Sequence, residues 1–277
     1  MGRLHIVLNF VFFLYKHPKI LIVALLSGGL FYSYEVFYAR DTMSFMGVPQ
    51  SKVIELNTFT RIFRNDAYMV GYSDIRANPL WVVYKLEASQ NQQNHLKRPD
   101  HFSSDWRNFY RVTPNDYTNS GYDRGHMAPN HAIALLYGKK AQEETFLMSN
   151  ITPQKPSLNQ KKWQELEMLE VEEFMQKFKT VWVYTGPLFD KKSHYIKNSS
   201  IEIPDAFFKI YVGIEEDNTM RSLAFIMPQS VKTSDTLKKF IVTIREVEER
   251  SGFDFFHQLD DVRENTLETT IESERWL

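Results

Sequence analysis

The chain has 277 residues, 43% hydrophobic and 14% aromatic, which is enough for a sizeable core in one or two domains. Its formal net charge is -1, so bulk charge does not announce a nucleic-acid binder and any electropositive surface must be local. With no cysteine, disulfides, thiolate metal sites and cysteine nucleophiles are excluded, and stability rests on packing.

The N-terminus is unlike the rest. Residues 6–15 are almost wholly apolar but too few to span a bilayer, Lys16-His17-Pro18-Lys19 interrupts them, and residues 20–34 are apolar again, with Tyr32, Tyr34 and Tyr38 near the far end. A spanning helix needs about 20 apolar residues, a length the second run reaches with its aromatic flank. Lys16 and Lys19 precede that run, so the positive-inside rule puts the N-terminus in the cytosol and the rest of the chain across the membrane. Residues 1–39 are therefore expected to be an uncleaved anchor, with the main domain on the non-cytoplasmic side. A cleaved export signal, giving an exported or periplasmic protein, is the rival, although no small-x-small cleavage site follows; a mitochondrial presequence is the third reading. A buried core helix fits poorly, because the segment has almost no polar face.

Residues 40–58 read as a linker around the turn signal Gly47-Val48-Pro49, and 59–277 as one large domain. Strands are expected over 68–72 and 80–86, punctuated by Asn78-Pro79. Residues 90–107 read as a polar loop holding His95, Lys97, Arg98, His101 and Arg107. Helices are expected over 139–148 and 158–177, the second with Trp163, Leu166 and Phe174 on its apolar side. Further strands follow at 181–185, ended by Gly186-Pro187, at 207–212 and at 223–227. Residues 235–250 read as an amphipathic helix capped by Ser234 or Asp235, with Gly252 just past its end, and the acidic tail from Asp260 as solvated surface. Strands and helices do not alternate regularly, so the class is α+β rather than doubly wound.

The chemistry concentrates in Tyr122-Asp123-Arg124-Gly125-His126-Met127-Ala128-Pro129-Asn130 and, further on, in Asn150, Asn159 and Glu167. Phosphodiester hydrolysis needs a proton acceptor for water and positive charge for the transition state and leaving oxygen. A neutral histidine serves the first need, and His126 is the candidate; its activity is expected to decline below about pH 6–6.5. Gly125 is expected to let the backbone turn sharply, and Arg124 to hold phosphate while diverging from His126 in an extended segment. Asn159 is the candidate ligand of Mg²⁺, which retains waters and gains substrate oxygens. Glu167, about two helical turns on, would reach water on that cation, with Glu165 as a competing carboxylate. Asn150 is expected to secure the loop that presents Asn159, although turns and caps are the commoner use of asparagine. Arg98, Arg107, Arg111, Arg124, Lys161 and Lys162 could form a local basic groove that contacts phosphates without reading bases.

These residues resemble those of the DNA/RNA non-specific endonucleases, the ββα-metal nucleases. The likeness runs from about Phe59 to about Leu259. It is carried by 122–129, by Thr145-Phe146-Leu147-Met148-Ser149-Asn150-Ile151-Thr152-Pro153-Gln154, and by Leu158-Asn159-Gln160, Trp163 and Glu167. Val183-Tyr184-Thr185-Gly186-Pro187-Leu188-Phe189, Pro204, Phe207-Phe208-Lys209 and Gly252-Phe253-Asp254-Phe255-Phe256 add to it. The resemblance implies an α+β fold in which a central antiparallel sheet is flanked by helices and a ββα-metal finger carries the active site. It implies Mg²⁺, with Mn²⁺ as substitute, DNA and RNA as substrates, 5′-phosphate and 3′-hydroxyl products, and often a homodimer. It implies His126 as general base, Asn159 as direct ligand, Glu167 acting through metal-bound water, Arg124 on phosphate and Asn150 shaping the metal loop. Arg98 matches the family's upstream phosphate-binding arginine. Some relatives carry disulfides, which this chain cannot. Two other functions stay open at this point: a non-catalytic nucleic-acid-binding or DNA-uptake component with the same fold, and a phosphodiesterase or phosphatase for small esters.

Overall fold

A computed structural model describes residues 9, 12–13, 15–53, 55–87, 96–190 and 192–277. The apolar run expected at 6–15 and the loop expected at 90–107 lie partly outside the described residues, His95 included. The chain divides into two compact units, Met1–Thr42 and Met43–Leu277.

The described residues of the first unit are mainly helical. Helix α1, Pro18–Tyr34, opens on a proline, whose missing N–H would have no intrahelical partner there, and it continues through a π turn at Glu35–Ala39. The helical segment Pro18–Met43, 26 residues, is long and apolar enough to cross a membrane, and none of its most apolar stretch is buried.

The second unit contains, in chain order, β1 (Gln50–Ser51), β2 (Arg61–Arg64), β3 (Tyr68–Ser73), β4 (Asn78–Leu86), β5 (Asp123–His126), α2 (Asn130–Glu144), β6 (Ile151–Gln154) and a long helix α3 over 156–177. Then come β7 (Thr180–Leu188), β8 (Ala206–Ile214), β9 (Met220–Pro228), β10 (Ile241–Val242), α4 (Ile244–Ser251), β11 (Phe253–Asp254) and α5 (Asp261–Thr269). Seven strands form one antiparallel sheet in the order β10-β9-β8-β7-β4-β3-β2. Both of its faces are covered, which is why the central strands read as continuous apolar runs and not as an apolar–polar alternation. Tyr68, Val70, Val82, Tyr84, Phe207 and Tyr211 face one core with Trp163, Leu166 and Phe174 of α3. Met69, Trp81, Val83, Phe208, Ile210 and Val212 face the other with Ile244 and Val247 of α4 and Phe255 and Phe256. Between the neighbouring strands β4 and β7, the chain leaves the sheet to build a β5–β6 hairpin and α3 over the first face.

Several expected boundaries move. Asn78 and Pro79 lie inside β4, where Pro79 pairs with Tyr72 next to a bulge and the buried Asn78 bonds Arg76, Glu202 and Thr152. Gly186 and Pro187 continue β7 instead of ending it. They pair with Phe208 and Phe207, and a side chain at 186 would strike the Leu80 carbonyl and the Phe208 ring. The helix expected at 139–148 does start at Lys139, but Gly138, with non-helical φ 83 and ψ -170, joins it to a preceding helix from Asn130, and it stops at Glu144. The helix expected over 235–250 is short: Ile241 and Val242 join the sheet edge instead, and Thr243 caps α4 by accepting from the Glu246 N–H. Gly252 does end that helix, in the left-handed conformation. The expected linker straddles both units. Met43, Phe45 and Val48 pack against the second core, and β1 pairs with β11. The acidic tail is not simply solvated, because Trp276 is fully buried against Phe174, Phe178 and Tyr211.

Candidate active site

The hairpin sets the register of the motif: Asp123 faces Gln154, Arg124 faces Pro153, Gly125 faces Thr152 and His126 faces Ile151. Gly125 keeps ordinary strand conformation, so the expected sharp turn is absent. Its lack of a side chain matters for a different reason, since a Cβ would collide with the Gln154 side chain packed across the hairpin. Arg124 and His126 are two residues apart on a strand, which places them on the same side and not diverging. Both line one open cavity of about 470 Å³, together with Arg98, Asn130, His131, Asn159, Gln160, Lys161, Gln164 and Glu167.

His126 is 9% exposed, its ring wedged between Phe102 at 5.4 Å and Phe146 at 4.9 Å. Its Nε2 has no hydrogen-bond partner among the described residues. Burial pulls the imidazole down to about 3, and the nearby charge of Arg98 adds to this, so the ring is neutral throughout the physiological range. The same aromatic pair carries the arginines: Arg98 lies over Phe146 at 5.3 Å and Arg124 over Phe102 at 5.2 Å. Two rings packed at a 41° tilt thus set the spacing of one histidine and two guanidinium groups.

Asn159 sits in a π-helical stretch at the start of α3, Leu158–Trp163; such widened turns are frequent at functional sites. Its Nδ2 donates to Asp123 Oδ2 at 2.9 Å, and Gln160 Nε2 donates to the same oxygen at 2.8 Å. Asp123 therefore ties the helix to the hairpin, a role the sequence reading missed although the residue stands inside the motif. Its signal would have been an acidic side chain beside a basic motif that bulk charge does not require. Glu167 lies further along α3 on the same cavity wall, half-buried. Burial pushes its carboxyl up to about 7 against the opposing charge of Lys209, with Glu170 reinforcing and Arg98 opposing. An amide oxygen with its nitrogen already committed, and a half-buried carboxylate on the same wall, form a donor set suited to a hard divalent cation.

Asn150 does not line the cavity. It is fully buried, its Oδ1 accepting from Ala128 N–H at 2.8 Å and its Nδ2 donating to the carbonyls of Ala128 at 3.0 Å and Thr145 at 2.9 Å. It clamps the backbone just after His126, and not the loop before Asn159 as expected. Glu165 is spent on Lys162 at 2.7 Å, which removes both the competing carboxylate and one basic candidate. Arg107 is held by Asp105 and Asn65 and lies over Phe63, while Arg111 does not reach the cavity. The basic wall is thus Arg98, Arg124 and Lys161, with His131 and Asn130 as lining the sequence had not offered. A separate acidic group, Glu248, Asp254 and Glu268, is ion-paired to Lys52 and Arg245 beside the second core.

A hairpin-and-helix unit that brings a histidine, arginines and an amide–carboxylate wall around one cavity defines a hydrolase of phosphodiester bonds. The profile of the DNA/RNA non-specific endonucleases matches residues 51–262, and the chain belongs to that family. It is 31% identical over 203 residues to mitochondrial endonuclease G of Homo sapiens, covering 69% of this chain and 67% of that one. It is 32% identical over 211 residues to nuclease C1 of Cunninghamella echinulata var. echinulata, covering 70% and 82%. The crystal structure of the EndoG/EndoGI complex is similar in fold, with a TM-score of 0.67 and 26% identity over 83% of this chain and 93% of that one. The protein is accordingly a non-specific nuclease that cleaves phosphodiester bonds internally.

Proposed function

We propose that the protein is a Mg²⁺-dependent, sugar-non-specific nuclease, accepting Mn²⁺ as substitute, in which His126 activates water and cleavage leaves a 5′-phosphate and a 3′-hydroxyl. The observation that carries this reading is that His126, Arg98, Arg124, Asn159 and Glu167, from three separate segments of the chain, share one cavity. Asn159 would hold the cation directly and Glu167 through its water. A divalent cation there supplies charge neutralisation for the scissile phosphate and the leaving oxygen.

The remaining work falls to the chain itself. Arg98 and Arg124 clamp non-bridging phosphate oxygens, contacts that carry no base information. His126 takes the proton from the attacking water. Burial, the larger cause, keeps its ring a weak base; a phosphodiester anion seated against Arg98 offsets the smaller, electrostatic part of the depression and raises its basicity to that extent. Asn150 holds the backbone that follows His126, and Asp123 holds the amide of Asn159. Helix α1, with Lys16 and Lys19 before its apolar run, supports an anchor in the membrane and a nuclease unit on the non-cytoplasmic side.

The test is digestion of circular plasmid and of RNA by the full-length protein in detergent. Both substrates should be cut with Mg²⁺ and spared with EDTA. His126→Ala should bind DNA normally and cut at least about 100-fold more slowly, the scale of lost general-base help. Cutting by His126→Ala at the wild-type rate would refute the assigned base.

A further inference from the structure

Trp163, Glu167 and Glu170 follow one another at i, i+4 and i+7 in α3, and so share a face of the helix. Glu167 lines the cavity, while Trp163 and Glu170 are buried. From β8, Lys209 reaches between them with no solvent exposure at all. Its Nζ donates to Glu170 Oε1 at 2.7 Å and lies 4.8 Å from the centre of the Trp163 ring. Glu170, equally buried, also accepts from the hydroxyls of Tyr84 on β4 and Tyr211 on β8, each at 2.9 Å. One lysine of the sheet therefore grips the helix at two points, one on either side of Glu167.

Packing alone does not explain this arrangement. A buried ion pair loses its hydration, and well-packed apolar side chains of equal volume are often as stable or more so. What the pair adds is direction, because a charge-assisted hydrogen bond demands a specific geometry whereas hydrophobic burial is non-directional. The helix is also wound unusually at both grips. One π stretch ends at Trp163 and the next begins at Glu170, with ordinary α winding only at Gln164–Leu169 between them.

We propose that Lys209, through Glu170 and Trp163, is a positioning residue of the nuclease site, holding α3 at the rotation in which Asn159 and Glu167 present oxygens to the same point of the cavity. The proposal rests on the nuclease reading above. It applies to the cation-binding wall and not to His126 or the arginines.

The experiment uses full-length protein in detergent. Mn²⁺ binding is followed without substrate by electron paramagnetic resonance, beside thermal melting and plasmid cleavage. Lys209→Met combined with Glu170→Gln removes both charges at nearly constant volume. The double variant should melt cooperatively near the wild-type Tm, bind Mn²⁺ about tenfold more weakly, and lose about tenfold in kcat with KM for DNA within about twofold. A double variant that melts, binds and cleaves as the wild type does overturns the proposal. Should it not fold, Lys209→Met alone decides, since Glu170 can then take a proton and keep both tyrosine hydroxyls, leaving no buried charge unpaired. Weakened Mn²⁺ binding in that variant supports the proposal and wild-type binding overturns it. A wild-type protein that neither binds Mn²⁺ nor cuts DNA sinks the nuclease reading and this one with it. A wild type that does both, beside an unaffected variant, sinks only the role of Lys209.

Discussion

The carboxylate of Asp123 holds the side-chain nitrogen of Asn159 at 2.9 Å, across the gap between a strand of the hairpin and the first turn of the long helix. An amide has a donor end and an acceptor end, so fixing the nitrogen on a carboxylate turns the oxygen away from it. Asp123→Ala removes the hold and leaves Asn159 free to rotate. The expected outcome is a Mg²⁺ concentration for half-maximal activity raised about 10- to 100-fold, the usual cost of losing a partner behind a metal ligand. Because Asp123 is only half-buried, the Tm should move little. Activity titrated against Mg²⁺ checks this, and an unchanged metal requirement would show that Asp123 does not orient the amide.

Asn150→Ala is expected to act on stability first. The substitution strands the Ala128 N–H and the carbonyls of Ala128 and Thr145 in a fully buried setting. A buried group left unsatisfied costs about 1–3 kcal/mol, and backbone relaxation recovers part of it, so about 3 kcal/mol in total is a fair expectation. Urea unfolding should show a lowered midpoint, and activity should fall as well, since the freed backbone is the one that follows His126. A variant as stable as the wild type would mean that the segment closes without Asn150.

The sequence made the site more legible than the frame around it. His126 and Arg124 stand in a short motif and Asn159 and Glu167 at a helical spacing, so their chemistry could be read locally, whereas Arg98 was singled out only by the family resemblance; all five line one cavity. The contacts behind them are long-range and left no local signal. Asn150 pairs with Ala128 across 22 residues, and Glu170 with Lys209 across 39. Strands inside the sheet were found because their apolar runs are dense, yet their ends were misjudged at Pro79 and Pro187, where a bulge and a close backbone approach override the breaker signal. At 235–250 the apolar spacing suited a helix, but Ile241 and Val242 completed the sheet edge instead, a tertiary outcome that periodicity does not encode.

Trp276 offers a test of how firmly the C-terminal segment belongs to the core. It is fully buried, with ring centres 4.8 Å from Phe174 and 4.2 Å from Phe178, and Lys177 donates to its carbonyl at 2.9 Å. Since Phe174 and Phe178 sit at the end of α3, this packing closes the helix that carries Asn159 and Glu167. Trp276→Ala should cost about 3–5 kcal/mol, as for other large-to-small changes in a core. Thermal melting measures it. A loss below about 1 kcal/mol would mean that the segment detaches without consequence.

The pH profile separates the two titrating groups of the site. Burial and Arg98 hold His126 down at about 3, so the imidazole is already neutral well below neutrality and does not set the acid limb that an ordinary histidine would give at pH 6–6.5. Glu167 is shifted the other way, to about 7, so its carboxyl is protonated below that pH and becomes an acceptor on the cation side only as pH rises through it. At low Mg²⁺ the acid limb of kcat/KM should therefore lie near pH 7. Proton and cation compete for the same carboxylate, so a tenfold rise in Mg²⁺ should move the limb toward lower pH by up to about one unit. Profiles of kcat/KM at two Mg²⁺ concentrations measure the displacement. A limb that stays at pH 6.5 in both would assign it to an imidazole of ordinary basicity and remove Glu167 from control of the acid side.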